Sequence, residues 1–453
     1  MPVYGRWGKY HSSNAGVYLQ QKCTMNRSFK NWVNGVSAFL LLFSTSCATT
    51  QPAASSEFPK SFTIQVTNPL NRGRESSLVL VDGEELRKNN PQFNPEAFVV
   101  MDGPTEIPSQ YNGKDHFNKG VALVLENMKA GETRKLTIHF NPTGSNKRNY
   151  PKRTQAELSK KVGGRWENRK YLGGTFQNID SLRVPDELTD HSYYLRYEGP
   201  GWESDKVGYR FYLDWRNGVD VFGKRTANMV LQQVGQDGYD SYHNLQPWGM
   251  DVLKVGKALG VGSLAMFDQG KAVRVEKTDS TYARILQNGP VYSSILTDYY
   301  GWQVAGLKLN VHSQLSIHAG TRATHHQMRL ERGQPQNIST GLIKDKAAKF
   351  VSSKGEAGKR YGYIATYGPQ SLNSPPDNVG IAVLFKPQDL LSITEDPLNH
   401  VVLLKPTNGQ AQYYFLAAWE LEQNGIKTEE QFHQYLAQLA EELANPVKVK
   451  ISK

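Results

Sequence analysis

The run Leu307–His318 sets Lys308, Asn310, His312, Gln314, Ser316 and His318 on one face of an alternating segment and Leu307, Leu309, Val311, Leu315 and Ile317 on the other. Amides and imidazoles in a row over an apolar back suit a sugar, whose hydroxyls call for dense hydrogen bonding. His312 could move protons there, and Asn310, Gln314 and His318 could hold hydroxyls. The same alternation also describes an ordinary half-buried strand. Arg322, His325 and His326 follow, so four histidines lie within 312–326 and raise a metal reading. Six strand residues at ~3.3 Å each place His312 and His318 about 20 Å apart, too far for one ion without a sharp bend. No metal site is assigned.

Three loop-like clusters add chemistry. Tyr239 to Asp251 and then Lys254 mix phenols, an imidazole, amides and an indole. Trp248 could stack on a sugar face, Asn244 and Lys254 could bind hydroxyls or carboxylates, and Tyr242 or His243 could transfer protons. Tyr197 to Lys206 holds Trp202 and Glu203 and precedes Arg210. Lys359 to Tyr363 offers Tyr361 beside two cations. A packed loop with buried aromatics is the plainer alternative for each. Taken as function, they predict one groove, floored by the polar face of 307–318 and walled by 239–254 and 199–206. His243 and His312 would transfer protons, Tyr242 or Tyr361 would act as acid, and Arg322 or Arg210 would hold a substrate carboxylate. Glu203, Asp205, Asp214 and Asp251 supply a rival carboxylate pair for glycoside hydrolysis. Gly199-Pro200-Gly201 lacks phosphate-loop spacing and no dinucleotide fingerprint opens a helix, so no cofactor is assigned.

The elements that position these groups read as strands. In 453 residues the apolar fraction is 38%, and 40 Gly, 22 Pro and 23 Tyr favour turns and strands over a helix bundle. Residues 61–140 predict a small N-terminal β-sandwich: Phe62, Ile64 and Val66 alternate with polar residues, as do Leu136, Ile138 and Phe140. Residues 141–189 predict a basic linker, rich in Lys147, Arg148, Lys152, Arg153, Lys160, Lys161, Arg165, Arg169 and Lys170, or else a basic lip beside an anionic ligand. Residues 190–453 predict the main antiparallel domain. Within it Tyr209, Phe211, Leu213 and Trp215 alternate with Arg210, Tyr212, Asp214 and Arg216 up to Asn217-Gly218, a hairpin signal. Thr428-Glu429-Glu430-Gln431 opens a closing helix with Phe432, Tyr435, Leu436, Leu439 and Leu443 on one stripe.

The net charge is +11, and five of those charges belong to Arg6, Lys9, Lys22, Arg27 and Lys30 in a leader without acids. A basic chain favours acidic partners. No zinc finger or RNA-binding signature is present, so nucleic acid is not expected. Arg27 and Lys30, the short apolar run to Phe43 and Ser44-Thr45-Ser46-Cys47 predict a signal peptide with lipobox over residues 1–47 and a tether over 48–60. Residues ahead of Met25 do not read as a signal n-region and point to Met25 as a start. The expected location is the periplasm or cell surface, with a lipid on Cys47 as membrane anchor. Cys23 and Cys47 are the only cysteines, so the body has no disulfide and no thiol chemistry.

Gly199-Pro200-Gly201-Trp202-Glu203-Ser204-Asp205-Lys206, Tyr209-Arg210 and Trp248-Gly249-Met250-Asp251-Val252-Leu253-Lys254 resemble the bacterial family catalogued as domain of unknown function 4861, over about residues 190–420. The resemblance implies an all-β fold: a large antiparallel β super-sandwich of the galactose mutarotase type. It also implies a secreted protein of polysaccharide-degrading bacteria, encoded with enzymes of uronate-rich glycans. The function expected is a polysaccharide lyase acting on an acidic glycan by β-elimination, with a glycoside hydrolase and a non-catalytic glycan-binding lipoprotein as alternatives. For the anchor, metabolically labelled lipid is expected on the wild-type chain and not on Cys47→Ser; unprocessed protein in the cytosol would refute it.

Overall fold

The computed structural model describes residues 57–452. The leader, Cys47 and residues 48–56 of the tether lie outside them. The described chain is all-β, as the alternation predicts, and every ladder between its strands is antiparallel. Its largest sheet has nine strands, in the order Ser181–Arg183, Ser280–Asn288, Tyr292–Val304, Leu307–His318, Ala323–Arg332, Gln410–Trp419, Val379–Phe385, Gly362–Gly368 and Lys349–Ser353. Two five-stranded sheets face it. One runs Gly249–Asp251, Val219–Lys224, Val207–Phe211, Gly201–Ser204, Thr154–Glu157; the other is built around Ile338–Ile343 and Asn399–Leu404. Leu309, Val311, Leu315 and Ile317 of the large sheet meet Trp202, Tyr209, Phe211 and Val221 of the first five-stranded sheet in one continuous core. The period of two decides the rest: residues that alternate with these must point outward on both sides.

Both outward faces are covered. On the nine-stranded sheet the helix Glu429–Ala444 lays Phe432, Leu436 and Ala440 over Ala365, Ala382 and Ala418. Its start follows the capping signal: Thr428 Oγ1 accepts from Gln431 N at 3.2 Å, and Gln431 Oε1 accepts from Lys427 N at 2.8 Å. The other part of that face carries the N-terminal sandwich, a five-stranded sheet over the three strands Arg74–Asp82, Gly120–Met128 and Ser109–Tyr111. After the helix the chain returns to this sandwich, where Lys448–Ser452 pairs with Lys60–Thr67 as its edge strand.

Two local expectations change. The stretch 141–189 is no mere linker: Thr154–Glu157 joins the first five-stranded sheet, Ser159–Glu167 pairs with Lys170–Asn178 as a hairpin, and Ser181–Arg183 edges the large sheet. Several of its cations are tied down, Lys147 to Glu96 at 2.6 Å and Arg153 to Glu126 and Asp205 at 2.6 and 2.7 Å. The Asn217-Gly218 hairpin exists, with Phe211 opposite Val219, but the strand ends at Phe211 and residues 212–218 form a longer loop.

The close seat of the helix depends on Gly380, where an added Cβ would stand 2.7 Å from the Phe432 ring. Gly380→Ala is expected to cost about 1–3 kcal/mol by overpacking. Urea unfolding should show it, and Phe432→Leu in the same chain should recover part of the loss.

Candidate active site

The outward face of the first five-stranded sheet is polar and almost entirely buried. Tyr209 and Phe211 point into the main core, so Arg210 between them points the other way, as do Asp220 between Val219 and Val221 and Asp251 between Met250 and Val252. Arg210 Nη2 lies 2.8 Å from Asp220 and 2.6 Å from Asp251, and its Nη1 donates to Tyr242 Oη at 2.8 Å. Tyr212 Oη donates to Asp220 at 2.5 Å. A buried ion is tolerated only when neighbours replace its water, and these groups do so. One guanidinium nevertheless faces two carboxyl groups. Burial first, and Asp251 second, push Asp220 up to about 7, with Arg210 opposing.

The network opens to solvent at two points. His243 is 42% exposed, with Nε2 3.4 Å from Asp251 Oδ2. The hydrogen bond it gives to Asp251 raises its pKa above the ordinary histidine value against the effect of burial. The second opening is the segment 190–198. Glu198 stands 3.9 Å from Arg210 and 2.6 Å from Arg216 Nη2; Arg216 Nη1 reaches Asp190 at 2.8 Å, and His191 Nδ1 meets Asp190 at 2.5 Å. Asp214 Oδ2 meets the same Nη2 at 2.6 Å, and its Oδ1 accepts from Nε at 3.0 Å. Tyr193, 36% exposed, stacks on Tyr239 at 4.9 Å and 14°. Tyr239 and Tyr242 in turn belong to an aromatic cap with Tyr197, Phe222 and the half-buried Trp248.

The backbone here is strained. His191, Tyr193, Tyr197 and Glu198 have φ of 53°, 61°, 38° and 72°. Left-handed non-glycine residues cost of order 1–3 kcal/mol each and persist only where the surroundings enforce them. The surroundings do: Tyr171 N donates to Ser192 O at 2.7 Å, Tyr239 Oη to Leu195 O at 3.1 Å, and His191 N to Glu198 Oε1 at 3.1 Å. Asp190, His191 and Glu198 bring three ligand-type atoms within 4.8 Å of one another. Both carboxylates already hold Arg216, so the guanidinium occupies the cation's role there.

The structure divides the sequence-predicted site. His243, Tyr242, Asn244, Trp248 and Arg210 share this face. His312, Asn310, Gln314 and His318 lie on the outward face of the nine-stranded sheet, across the shared core, so the single groove does not form. His312 Nδ1 bonds Asp298 at 2.6 Å and its Nε2 lies 3.0 Å from Glu331. Gln314 is buried under the loop 112–118, donating to Asp115 Oδ1 at 2.9 Å and accepting from His116 N at 3.2 Å. Asn310 accepts from Gly301 N at 3.0 Å and pins a bulge.

Other expected contacts are structural. Trp202 is core and donates to Thr324 Oγ1 at 2.9 Å. Glu203 is buried against Lys224 at 2.6 Å and accepts from Val230 N and Leu231 N at 2.8 Å each. Arg322 is buried on Glu422 at 2.7 Å, and Tyr361 packs near the helix. Tyr242, locked on Arg210, is pushed far above its ordinary pKa by burial. Lys254 is exposed beyond Asp251. Missed by sequence reasoning were Asp190, His191, Tyr193, Glu198, Arg216 and Asp220. The charges among the 209–216 run, Arg210, Asp214 and Arg216, were the available signal, since charges among so many apolar residues must pair when buried.

A two-layer β-sandwich with a polar, strained and partly open acid–base cluster on one outer face is the class of protein defined here. The chain belongs to the family described as Domain of unknown function (DUF4861), whose profile matches residues 66–449. No curated protein matches it. Among solved structures, an α-mannosidase from Enterococcus faecalis V583 is similar at 9% identity and a TM-score of 0.45, over 88% of this chain and 47% of that one. A glycosyl hydrolase family 38 protein from Enterococcus faecalis is similar at 8% identity and a TM-score of 0.40, over 88% and 48%. The chain thus spans about half the length of these structures.

The raised pKa of Asp220 has a measurable sign. Its protonation favours the native state at low pH, and that contribution fades as pH rises through about 7. Asp220→Asn has no such titration. Relative to wild type, its stability in urea is expected to improve from about pH 4 to about pH 8; a difference that stays flat with pH would contradict the assignment.

Proposed function

We propose that the protein is a carbohydrate-active enzyme that cleaves a uronate-containing glycan by β-elimination at the openings of the Arg210 network, at His243 and at residues 190–198. The observation that carries this reading is which ionisable groups are accessible. Imidazoles and a phenol reach solvent at His243, His191 and Tyr193, and the buried Arg216 is reached through the exposed Asp190, 2.8 Å from its Nη1. The carboxylates of a hydrolase pair are buried or locked: Glu203 on Lys224, Asp205 on Arg153, Asp214 on Arg216 and Asp251 on Arg210. Hydrolysis needs a carboxylate that faces the glycosidic bond. Elimination needs a base for the C5 proton, a cation for the uronate carboxylate and an acid for the leaving oxygen.

His243, oriented by Asp251, is the base. Arg216 exchanges the exposed Asp190 for the substrate carboxylate while Glu198 and Asp214 keep it in place. This replaces Arg210 and Arg322, whose guanidinium groups are committed within the fold. Tyr193 gives its proton to the departing O4 oxygen, and the C5–H electron pair becomes the C4–C5 double bond as the C4–O bond breaks. Trp215, 40% exposed and next to Arg216 in the chain, offers a sugar-stacking surface. An acidic polysaccharide substrate suits the basic chain. A periplasmic or cell-surface location anchored through Cys47 fits that substrate and is supported by the leader composition.

Incubation with pectate, alginate, glucuronan and ulvan tests the reading. An unsaturated-uronate chromophore is expected with one of them. His243→Ala and Tyr193→Phe should each lower turnover by about 10²–10⁴-fold without unfolding the chain, and Arg216→Ala should raise KM as well. New reducing ends without the chromophore would mean hydrolysis, and no product from any polymer would mean binding alone.

A further inference from the structure

On the nine-stranded sheet, the C-terminal helix and the N-terminal sandwich lie side by side, and a cavity of about 340 Å³ remains at their junction. That is within the size range of small-molecule sites, ~300–1,000 Å³. Ser316, His318, His325 and Tyr414 form its sheet side, Leu439 and Leu443 come from the helix, and Ser76 and Leu78 from the sandwich. It is far larger than the share of a single water, ~30 Å³, in interiors that otherwise pack with few voids.

The charged residues of its lining balance, Arg72 and Arg74 against Glu75 and Glu442. Arg72 at its edge is bound to Glu441 at 2.6 Å and Glu442 at 2.9 Å, and Arg74 donates to Asn68 at 2.8 Å. His318 Nδ1 lies 2.8 Å from Ala319 O, so it donates and leaves Nε2 as an acceptor. His325 Nε2 bonds Gln412 Oε1 at 3.0 Å while its ring stacks on Tyr414 at 4.0 Å, which leaves Nδ1 as an acceptor. Burial lowers the pKa of both imidazoles, His325 to about 3, so both are neutral near pH 7. Acceptors on neutral rings and serine hydroxyls suit a ligand that brings its own O–H donors. The leucines suit an apolar C–H face. A carboxylate would meet ring lone pairs, Glu75 and Glu442, and both lining guanidinium groups already donate within the fold, Arg72 to Glu441 and Glu442 and Arg74 to Asn68 and Asn445.

We propose that this cavity is a binding site for a neutral sugar residue, separate from the Arg210 network. The two sites lie on opposite outer faces of the sandwich, so the proposal stands whatever chemistry His243 performs. A bound sugar touches the sheet, the helix and the N-terminal sandwich at once and stabilises their junction by mass action.

Calorimetric titration and thermal melting of the full chain with D-galactose, D-xylose, L-rhamnose and D-galacturonate test it. At least one neutral sugar is expected to bind with one site per chain and to raise Tm. Leu443→Trp, which fills the cavity, and His325→Phe, which keeps the stack but removes the acceptor, should each weaken that binding at least about tenfold. The lyase assay should be unchanged in both. Any D-galacturonate binding should be insensitive to both substitutions, because it would belong to the other face. Failure of all three neutral sugars to bind overturns the proposal. So does neutral-sugar binding that survives in whichever variant folds, or D-galacturonate binding that disappears in it.

Discussion

The buried guanidinium of Arg210 is the constraint around which one half of the molecule is organised. Removing such an ion from water costs several kcal/mol unless the protein returns its hydrogen bonds. Asp220, Asp251, Tyr212 and Tyr242 return them. Each comes from a different place: the adjacent strand, the end strand, the turn after Phe211 and the 239–251 loop. That loop must therefore fold back over the sheet, and the aromatic cap of Tyr197, Tyr239, Tyr242 and Trp248 closes it against Phe222. Further buried pairs repeat the pattern beside it, Glu203 with Lys224 and Glu157 with Arg196.

A five-stranded sheet wrapped in this way gains specificity at a cost in stability, since well-packed apolar residues would often hold a sheet at least as firmly. The polar layer is more easily understood as support for what emerges at its edge. His243 takes its orientation from Asp251, Asp251 from Arg210, and Arg210 from a sheet that cannot shift without exposing the main core. Strain in 190–198 belongs to the same scheme. Four left-handed residues are held there by bonds from the 159–178 hairpin and from Tyr239, so His191 and Tyr193 are presented on a rigid rim.

Much of the fold was legible in the sequence because it is written locally. The strand Leu307–His318 begins and ends where alternation predicts, and Thr428 caps the closing helix. What alternation cannot show is which partner covers the second face. Gln314 meets Asp115, a residue nearly two hundred positions away. Trp202 and Glu203, conspicuous in a motif, serve the core and the Glu203–Lys224 pair. Arg216 looked like the end of a strand and is instead the hinge of the site, because the strand stops at Phe211 and the loop turns the guanidinium back toward Glu198. The family motifs fall largely on the strands of this sheet and say nothing of which of their residues reach solvent.

The two-sided architecture also separates charge from neutrality. On the five-stranded side ionised groups are paired almost completely, so that the few left accessible act in a field set by their buried partners. Asp251 raises His243, and Arg210 limits that effect from behind. On the nine-stranded side near the helix, burial lowers His318 against the pull of Asp205 and Glu126 and lowers His325 to about 3. The same residue type is thus raised in pKa on one face and lowered on the other. The difference comes from whether a carboxylate lies within reach: Asp251 stands 3.4 Å from His243, whereas His318 and His325 bond a carbonyl and an amide. The Arg210 face therefore sets a carboxylate beside its exposed imidazole, and the helix junction leaves its imidazoles without one.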